Sequence, residues 1–406
     1  MRSSWVLIGL AMFLLGASLF SPQQKAVLSV SALKTDFTLF QAQFRDHHPG
    51  LYTYASKAEV DSAFAAIDDS LEQVRTSLEL YRLLSPLKSL IKDGHTYFYP
   101  SDSLRERLAQ AAPMPFSVFW DGKALWVRAV KNPHWGLKVG DQILAINGQT
   151  SDSILQTLLA NTLRDGDNQS YPVWIVNRWF ALWYRNHFDV QRSWGLKVIS
   201  GKEAPRHVEL PLENWSSVPG TGKQPKGIHL RYEGKVGILS IPSFNHQVLA
   251  ASYGQKFRPE IKKAFAQLRE NKTEQLIIDL RDNQGGHIRN GKYLLSYLFE
   301  ERYDLIQAMM KVANPTAESD KTRLKNCFWQ ERSPVLPQAN PFAGELIVLM
   351  NGGSFSCTGA VLAALEDRQR ALLIGQAAAG NKRVFCGGGK EIVLPHSGIR
   401  LTVPEV

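Results

Sequence analysis

An α/β fold class follows from three features of the sequence. The C-terminal half alternates apolar strand-like runs with helical patterns, a β-rich segment precedes it, and amphipathic helices come first. Leu33–Phe44 and Ala58–Leu71 are amphipathic and Ser77–Leu90 is apolar-rich, so residues from about 31 to 92 read as helical. His48-Pro49-Gly50 interrupts them as a turn. Roughly 101–220 carries strand-like runs such as Ser117–Trp120 and Ala124–Val130. The aromatic run Tyr171–Phe188 is expected to be core or a domain contact. Pro219–Pro225 is a linker by composition. Beyond it Val236–Ile241, Gln275–Leu280 and Leu346–Met350 read as strands, with helices over Ala250–Arg269 and Gly291–Phe299. No repeat of 20–50 residues points to a solenoid.

The 406 residues suffice for two or three domains, each with its own core. The net charge of +10 is spread along the chain without a long basic run, so solvated Lys and Arg explain it better than a nucleic-acid or anionic membrane surface. Arg2 followed by the apolar Trp5–Phe20, with Gly16, Ala17 and Ser18 near its end, reads as a secretory signal peptide over residues 1–22. An uncleaved membrane anchor is the alternative. Either way the body is expected outside the cytoplasm, periplasmic or secreted. Three cysteines, Cys327, Cys357 and Cys386, form no disulfide framework and no zinc spacing. Pairing of Cys357 with Cys386 is left open. No metal-ligand cluster appears, and no cofactor is implied.

Three turns carry residues suited to chemistry. In Leu346–Arg370 a short apolar strand, a small polar turn and a helical pattern follow one another. Such a turn lifts one small side chain to the top of a sheet against the positive end of a helix, and the candidate for that place is Ser356. Helix capping is the ordinary role of Ser354 and Ser356. The G-x-S-x-G elbow is not literally present. Leu280–Gly286 lies at the C-terminal end of an apolar strand, where α/β sheets bind ligands. Its Gly285-Gly286 pair lets the backbone approach a reacting carbonyl and offer an N–H. In Asp93-Gly94-His95-Thr96 a helix gives way to an aromatic strand-like run, and the Gly turn allows His95 to face a cleft. His47 and His48, near a helix end, read as structural.

The run Gly136–Gly148, with Gly-Asp and Asn-Gly turns between apolar strands, resembles PDZ domains. With the three turns in this order, the chain after its first segment resembles the tail-specific (C-terminal processing) and tricorn-core family of serine peptidases. The resemblance implies an N-terminal helical region over 23–100, a PDZ-like β-rich module over 101–220 and a crotonase-like layered α/β core over 226–406. The family's nucleophile falls on Ser356, and its oxyanion hole on the amides of Cys357 and of Gly285 or Gly286. One branch uses a lysine base; its position falls on Asn381, with Lys382 one residue off. The other branch uses a histidine, matching His95, and the Asp-Gly-His-Thr run favours it. That branch also carries an orienting glutamate near a final Gly-x-x-Pro-Asp strand. Neither Glu391 nor Glu405 matches its place, so the core reads as truncated and the third relay member as missing.

The resemblance therefore implies an extracytoplasmic serine endopeptidase acting on polypeptides, without nucleic acid as partner. The rival is a non-catalytic binding protein of the same architecture, like interphotoreceptor retinoid-binding protein, or an inactive homologue. A crotonase-type acyl-CoA enzyme is the more distant alternative.

Overall fold

The hydroxyl of Ser29 accepts the N–H of Ala32, one of the first-turn amides that lack a helical acceptor, and α1 (Val30–His47) begins there. The structure is a computed structural model that describes residues 27–110, 114–188, 193–211, 226–306, 308, 333–380 and 389–404. The signal-like segment 1–22 and the Pro219–Pro225 linker lie outside the described residues. The chain folds as two compact units.

In the first unit α1 buries Leu33, Phe37, Phe40 and Phe44 along one face, as helical spacing requires. Reciprocal capping boxes, Ser56 with Glu59 and Thr76 with Glu79, start α2 (Lys57–Ser70) and α3 (Ser77–Leu84). The helical stretch expected over Ser77–Leu90 is two helices, α3 and α4 (Leu87–Ile91). Pro86 lies between them and has no N–H for the helical ladder. Lys92 ends α4 in the left-handed region, and the Asp93–Thr96 turn leads into the short strand β1 (Tyr97–Tyr99).

After α5 (Asp102–Gln110), the same unit builds an antiparallel sheet from β2 (Phe116–Trp120), β3 (Leu125–Val130), β4 (Gln142–Ile146), β5 (Gln149–Thr150), β6 (Ser193–Ile199) and β7 (Arg206–Pro211). Its order is β2-β3-β4-β6-β7, with β5 paired to β4. Asn147 and Gly148, both with positive φ, form the two-residue turn between β4 and β5. Asp141 is buried and accepts the Lys138 N–H at 2.9 Å and the Ser200 hydroxyl and Arg206 guanidinium at 2.6 Å each. Two helices, α6 (Ser151–Ala160) and α7 (Ser170–His187), interrupt the strands. The aromatic run is α7; it buries Tyr171, Phe180 and Tyr184 and kinks at Trp179.

The second unit is organised by a five-stranded sheet. Its elements are β8 (His229–Glu233), β9 (Val236–Ser240), α8 (His246–Tyr253), α9 (Phe257–Glu270), β10 (Gln275–Asp279), α10 (Ile288–Leu295), β11 (Glu345–Met350), α11 (Cys357–Asp367) and β12 (Leu372–Gly375). The order is β12-β11-β10-β9-β8, parallel except for β8. Where one helix was expected over Ala250–Arg269, Gly254 adopts φ 64° and closes α8 in a left-handed cap, so α9 starts separately. Leu276, Ile278, Leu346 and Val348 from the central strands share one core with Ile261, Phe265, Leu294, Val361 and Leu365 from the helices.

The last two strands, β13 (Gly389–Val393) and β14 (Arg400–Pro404), belong to the first unit. β14 lies antiparallel between β13 and β1, with Phe98 opposite Leu401. Leu394, Ile399, Leu401 and Val403 enter the core formed by α1, α2 and α3. The buried Asp36 carboxylate of α1 accepts the backbone N–H groups of His396 at 3.0 Å and Ser397 at 2.7 Å, closing the β13–β14 turn.

Lys88 is 2% exposed. Its Nζ donates to the Tyr81 hydroxyl at 3.0 Å and lies 4.3 Å from the Phe98 ring centre. Burial pushes its pKa well down. The unfolded chain therefore holds this proton more tightly than the folded one, and the resulting cost grows as pH falls below the unfolded value of 10.5. Lys88→Met is expected to raise stability at pH 7 by about 1–3 kcal/mol, with the gain shrinking as pH approaches that of the unfolded amine, read by urea unfolding. Asp36→Ala, which strands two backbone amides, should cost about 2–4 kcal/mol in the same measurement.

Candidate active site

The strands β10 and β11 run side by side in register from Gln275↔Glu345 to Asp279↔Leu349, so their C-terminal ends deliver two turns to one edge of the sheet. From β11 the chain passes through Asn351–Phe355 into α11, with Ser356 as the helix-capping residue. Ser356 has φ 57° and ψ −122°, a conformation that costs a non-glycine residue on the order of 1–3 kcal/mol. A sharp strand-to-helix turn with a strained serine is the geometry that presents a nucleophile above a sheet.

Buried polar groups hold that turn. Ser354, fully buried, donates its hydroxyl to the Leu280 carbonyl at 2.8 Å and accepts the Asn351 N–H at 3.0 Å. The Asn351 side-chain oxygen accepts the N–H groups of Gly353 at 2.9 Å and Asp282 at 3.0 Å. Asn283, also fully buried, ties the neighbouring turn to the residue that follows β9 by donating to the Ile241 carbonyl at 2.9 Å. Its backbone carbonyl accepts the Phe355 N–H at 3.0 Å, joining the two turns. Ser354 is thus structural, a brace within the turn, while Ser356 takes the strained position that caps α11.

The Gly285-Gly286 pair is placed against the same serine. A Cβ on Gly285 would lie 2.7 Å from the Phe355 carbonyl oxygen and 2.8 Å from both the Cys357 nitrogen and the Ser356 Cβ. A Cβ on Gly286 would lie 2.2 Å from the Asn245 nitrogen. Both glycines have positive φ, 90° and 137°. Their amides differ. That of Gly285 donates to the Asn283 side-chain oxygen at 2.9 Å. Gly286 is bridged to Phe244 through its neighbours, with Phe244 donating to the Gly285 carbonyl and accepting from His287. In a parallel bridge of this kind the N–H of the central residue points to the other side. Cys357 is the first residue of α11, so its amide belongs to the positive end of that helix. Its buried thiol lies 3.5 Å from the His287 carbonyl oxygen. Cys386 and Cys327 lie outside the described residues.

Beside this turn His287 stacks on His246, with ring centres 4.2 Å apart. Burial, then the neighbouring His246 and Arg289, lowers the His287 pKa to about 4. The ring is neutral at pH 7, a state that suits close stacking.

His95 stands in the first unit, in the turn between α4 and β1. Its backbone N–H donates to Asp93 Oδ1 at 2.8 Å. Burial lowers its pKa, partly offset by the negative charge of Asp93. A neutral imidazole able to accept a proton results. His48, read from sequence as structural, is buried and places Nε2 2.7 Å from the Thr96 hydroxyl and 3.1 Å from Asp93 Oδ2. Lys382, the alternative base, and its neighbour Asn381 lie outside the described residues, as does Glu405. Glu391 is bound to the Arg400 guanidinium, its Oε1 3.0 Å from Nε, across the β13–β14 pair.

The second unit thus gathers Ser356, Cys357, Gly285 and Gly286, while His95 has its own surroundings in the first. Sequence reasoning missed the braces. An Asn two residues before Gly285 is a known turn pattern that could have marked Asn283. Nothing local marks the pairing of His48 with Asp93.

Residues 235–403 match the model of peptidase family S41. This segment belongs to peptidase family S41. Over 150 residues the chain is 23% identical to carboxyl-terminal-processing peptidase 2, chloroplastic, of Arabidopsis thaliana. That match spans 37% of this chain and 24% of the relative, about a quarter of its length. Among solved structures, mature CPAF has a TM-score of 0.65 at 16% identity, covering 92% of this chain and 88% of that one. Mature CPAF complexed with lactacystin gives 0.64 at 17%, covering 92% and 89%. At such identity the likeness is one of fold. The S41 segment contains both turns of the second unit and the strands β13 and β14 that close the first.

Gly285→Ala would drive a methyl into the backbone of the Phe355–Cys357 turn. The expected result is a loss of stability of about 1–3 kcal/mol, measured by thermal unfolding.

Proposed function

We propose that the chain is a serine endopeptidase that hydrolyses peptide bonds through an acyl-enzyme on Ser356. The observation that carries this reading is the strained Ser356 conformation at a strand-to-helix turn, pressed against Gly285. The Ser356 hydroxyl oxygen attacks the peptide carbonyl carbon while His95 takes its proton. The Cys357 and Gly286 amides donate to the oxyanion of the tetrahedral intermediate; the Gly285 amide is already engaged by Asn283. Collapse expels the amine, which leaves with the proton from His95, and water attacks the acyl-enzyme in the reverse sequence. Lys382 is the alternative base.

The S41 membership supports polypeptide substrates. The signal-like segment supports a place outside the cytoplasm, and the Gly136–Gly148 run supports a PDZ-like role for the antiparallel sheet of the first unit. The parallel sheet and its helices support a crotonase-like core.

The test is hydrolysis of an unfolded protein, together with labelling by a serine-directed phosphonate. Ser356→Ala should lose activity by about a thousandfold or more and lose labelling, and His95→Ala should lose activity comparably. Equal hydrolysis by wild type and Ser356→Ala removes Ser356 from the mechanism. Binding of apolar ligands with neither hydrolysis nor labelling would indicate the carrier of the same architecture.

A further inference from the structure

A histidine base needs a group that orients it and stabilises its protonated form. The first unit holds a carboxylate beside the imidazole of His95. Asp93 is 2% exposed and stands two residues before His95. Its Oδ1 accepts the His95 backbone N–H at 2.8 Å and lies 3.9 Å from the ring Nδ1. The latter distance exceeds a hydrogen bond but is close for a charge. Its Oδ2 accepts the Thr96 hydroxyl at 3.1 Å and faces His48 Nε2 at 3.1 Å. Both oxygens are therefore engaged, and the carboxylate cannot turn away from the imidazole without breaking bonds on both sides.

We propose that Asp93, clamped by His48 and Thr96, is the positioning residue for His95: it holds the imidazole's backbone and supplies the negative charge that stabilises the imidazolium formed during catalysis. This rests on the serine-peptidase reading above. Asp93 touches neither the substrate nor the serine in this scheme; it acts through His95.

The electrostatics agree with the geometry. Burial opposes the charge of Asp93, yet the His48 hydrogen bond and the His48 and His95 charges together hold its carboxyl below the usual range. Asp93 in turn favours the protonated form of His95 against the effect of burial. The other ionisable neighbours leave that pairing intact. Tyr97 is hydrogen-bonded with Tyr171, which faces Asp165, and its own hydroxyl is kept protonated by burial. Lys92 reaches outward to Asp167 at 2.6 Å.

The test is Asp93→Asn in the full chain, which keeps a side-chain oxygen for the His95 N–H and removes the charge. The expected result is a kcat lowered by about 10- to 1000-fold with KM within about twofold. The acid limb of the kcat/KM profile should move to lower pH, because removing the anion makes His95 easier to deprotonate. Asp93→Glu, which keeps the charge, should recover part of kcat and return the acid limb toward wild type. A purely structural role would lower stability without moving that limb. An unchanged kcat and an unchanged acid limb in Asp93→Asn overturn the proposal. If Ser356→Ala or His95→Ala is fully active, the peptidase reading itself fails instead. A measurement on the unsubstituted protein needs neither turnover nor a folded Asp93 variant. Ring nitrogen shifts of neutral His95 should show the proton on Nδ1, the nitrogen beside Asp93, leaving Nε2 as the base. A neutral ring protonated on Nε2 overturns the assignment.

Discussion

A serine held at φ 57° relaxes unless its surroundings prevent it, and here the prevention is a joint between two turns. The Ser354 hydroxyl bonds the Leu280 carbonyl, the Asn283 carbonyl accepts the Phe355 N–H, and Gly285 packs onto Phe355, Ser356 and Cys357. The joint exists because parallel β10 and β11 end at the same level, so both turns emerge side by side. Neither turn alone could hold the serine. Without the Gly285 approach there would be room for the chain to flatten, and without Ser354 the turn would lose a buried anchor on its neighbour.

The first unit uses the same economy of means around its histidine. Asp93 ties the backbone of His95 to the ring of His48 on α1's C-terminal side, and Asp36 near the start of the same helix gathers the β13–β14 turn. Strand β14 then pairs with β1, the strand that follows the histidine turn. Buried carboxylates are costly unless their oxygens are satisfied, and both of these accept several donors. The cost of burial is offset by fixing segments that are remote in the chain, which exposed ion pairs such as Glu391 with Arg400 do less well.

Much of this architecture was legible before any coordinates. Short apolar runs located β9, β10 and β11, and the 3.6-residue period located α1 and α2, to within a few residues, because strands covered on both faces read as apolar runs and one-sided helix burial imposes that period. Asn147-Gly148 named its own hairpin, since few residue pairs tolerate two positive φ angles. Two helices were misjudged in length where a local breaker, Pro86 or Gly254, outweighed apolar spacing. In the second unit the candidate residues Ser356, Cys357, Gly285 and Gly286 were all visible as turn residues. What was not visible is which of their groups are occupied: the engagement of the Gly285 amide by Asn283 depends on a side-chain rotamer, and a sequence does not specify one.

By itself the sequence determined the order of helices, strands and turns, and the placing of glycine and serine where strands end, because these follow from local sterics and from the period of burial. Only tertiary structure decided that β14 would pair beside β1, that Ser354 would brace while Ser356 takes the strained cap, and that His48 would meet Asp93. Those outcomes join residues far apart in the chain. Their physical cause is the packing of shared cores, where apolar burial sets which polar groups come within hydrogen-bonding distance.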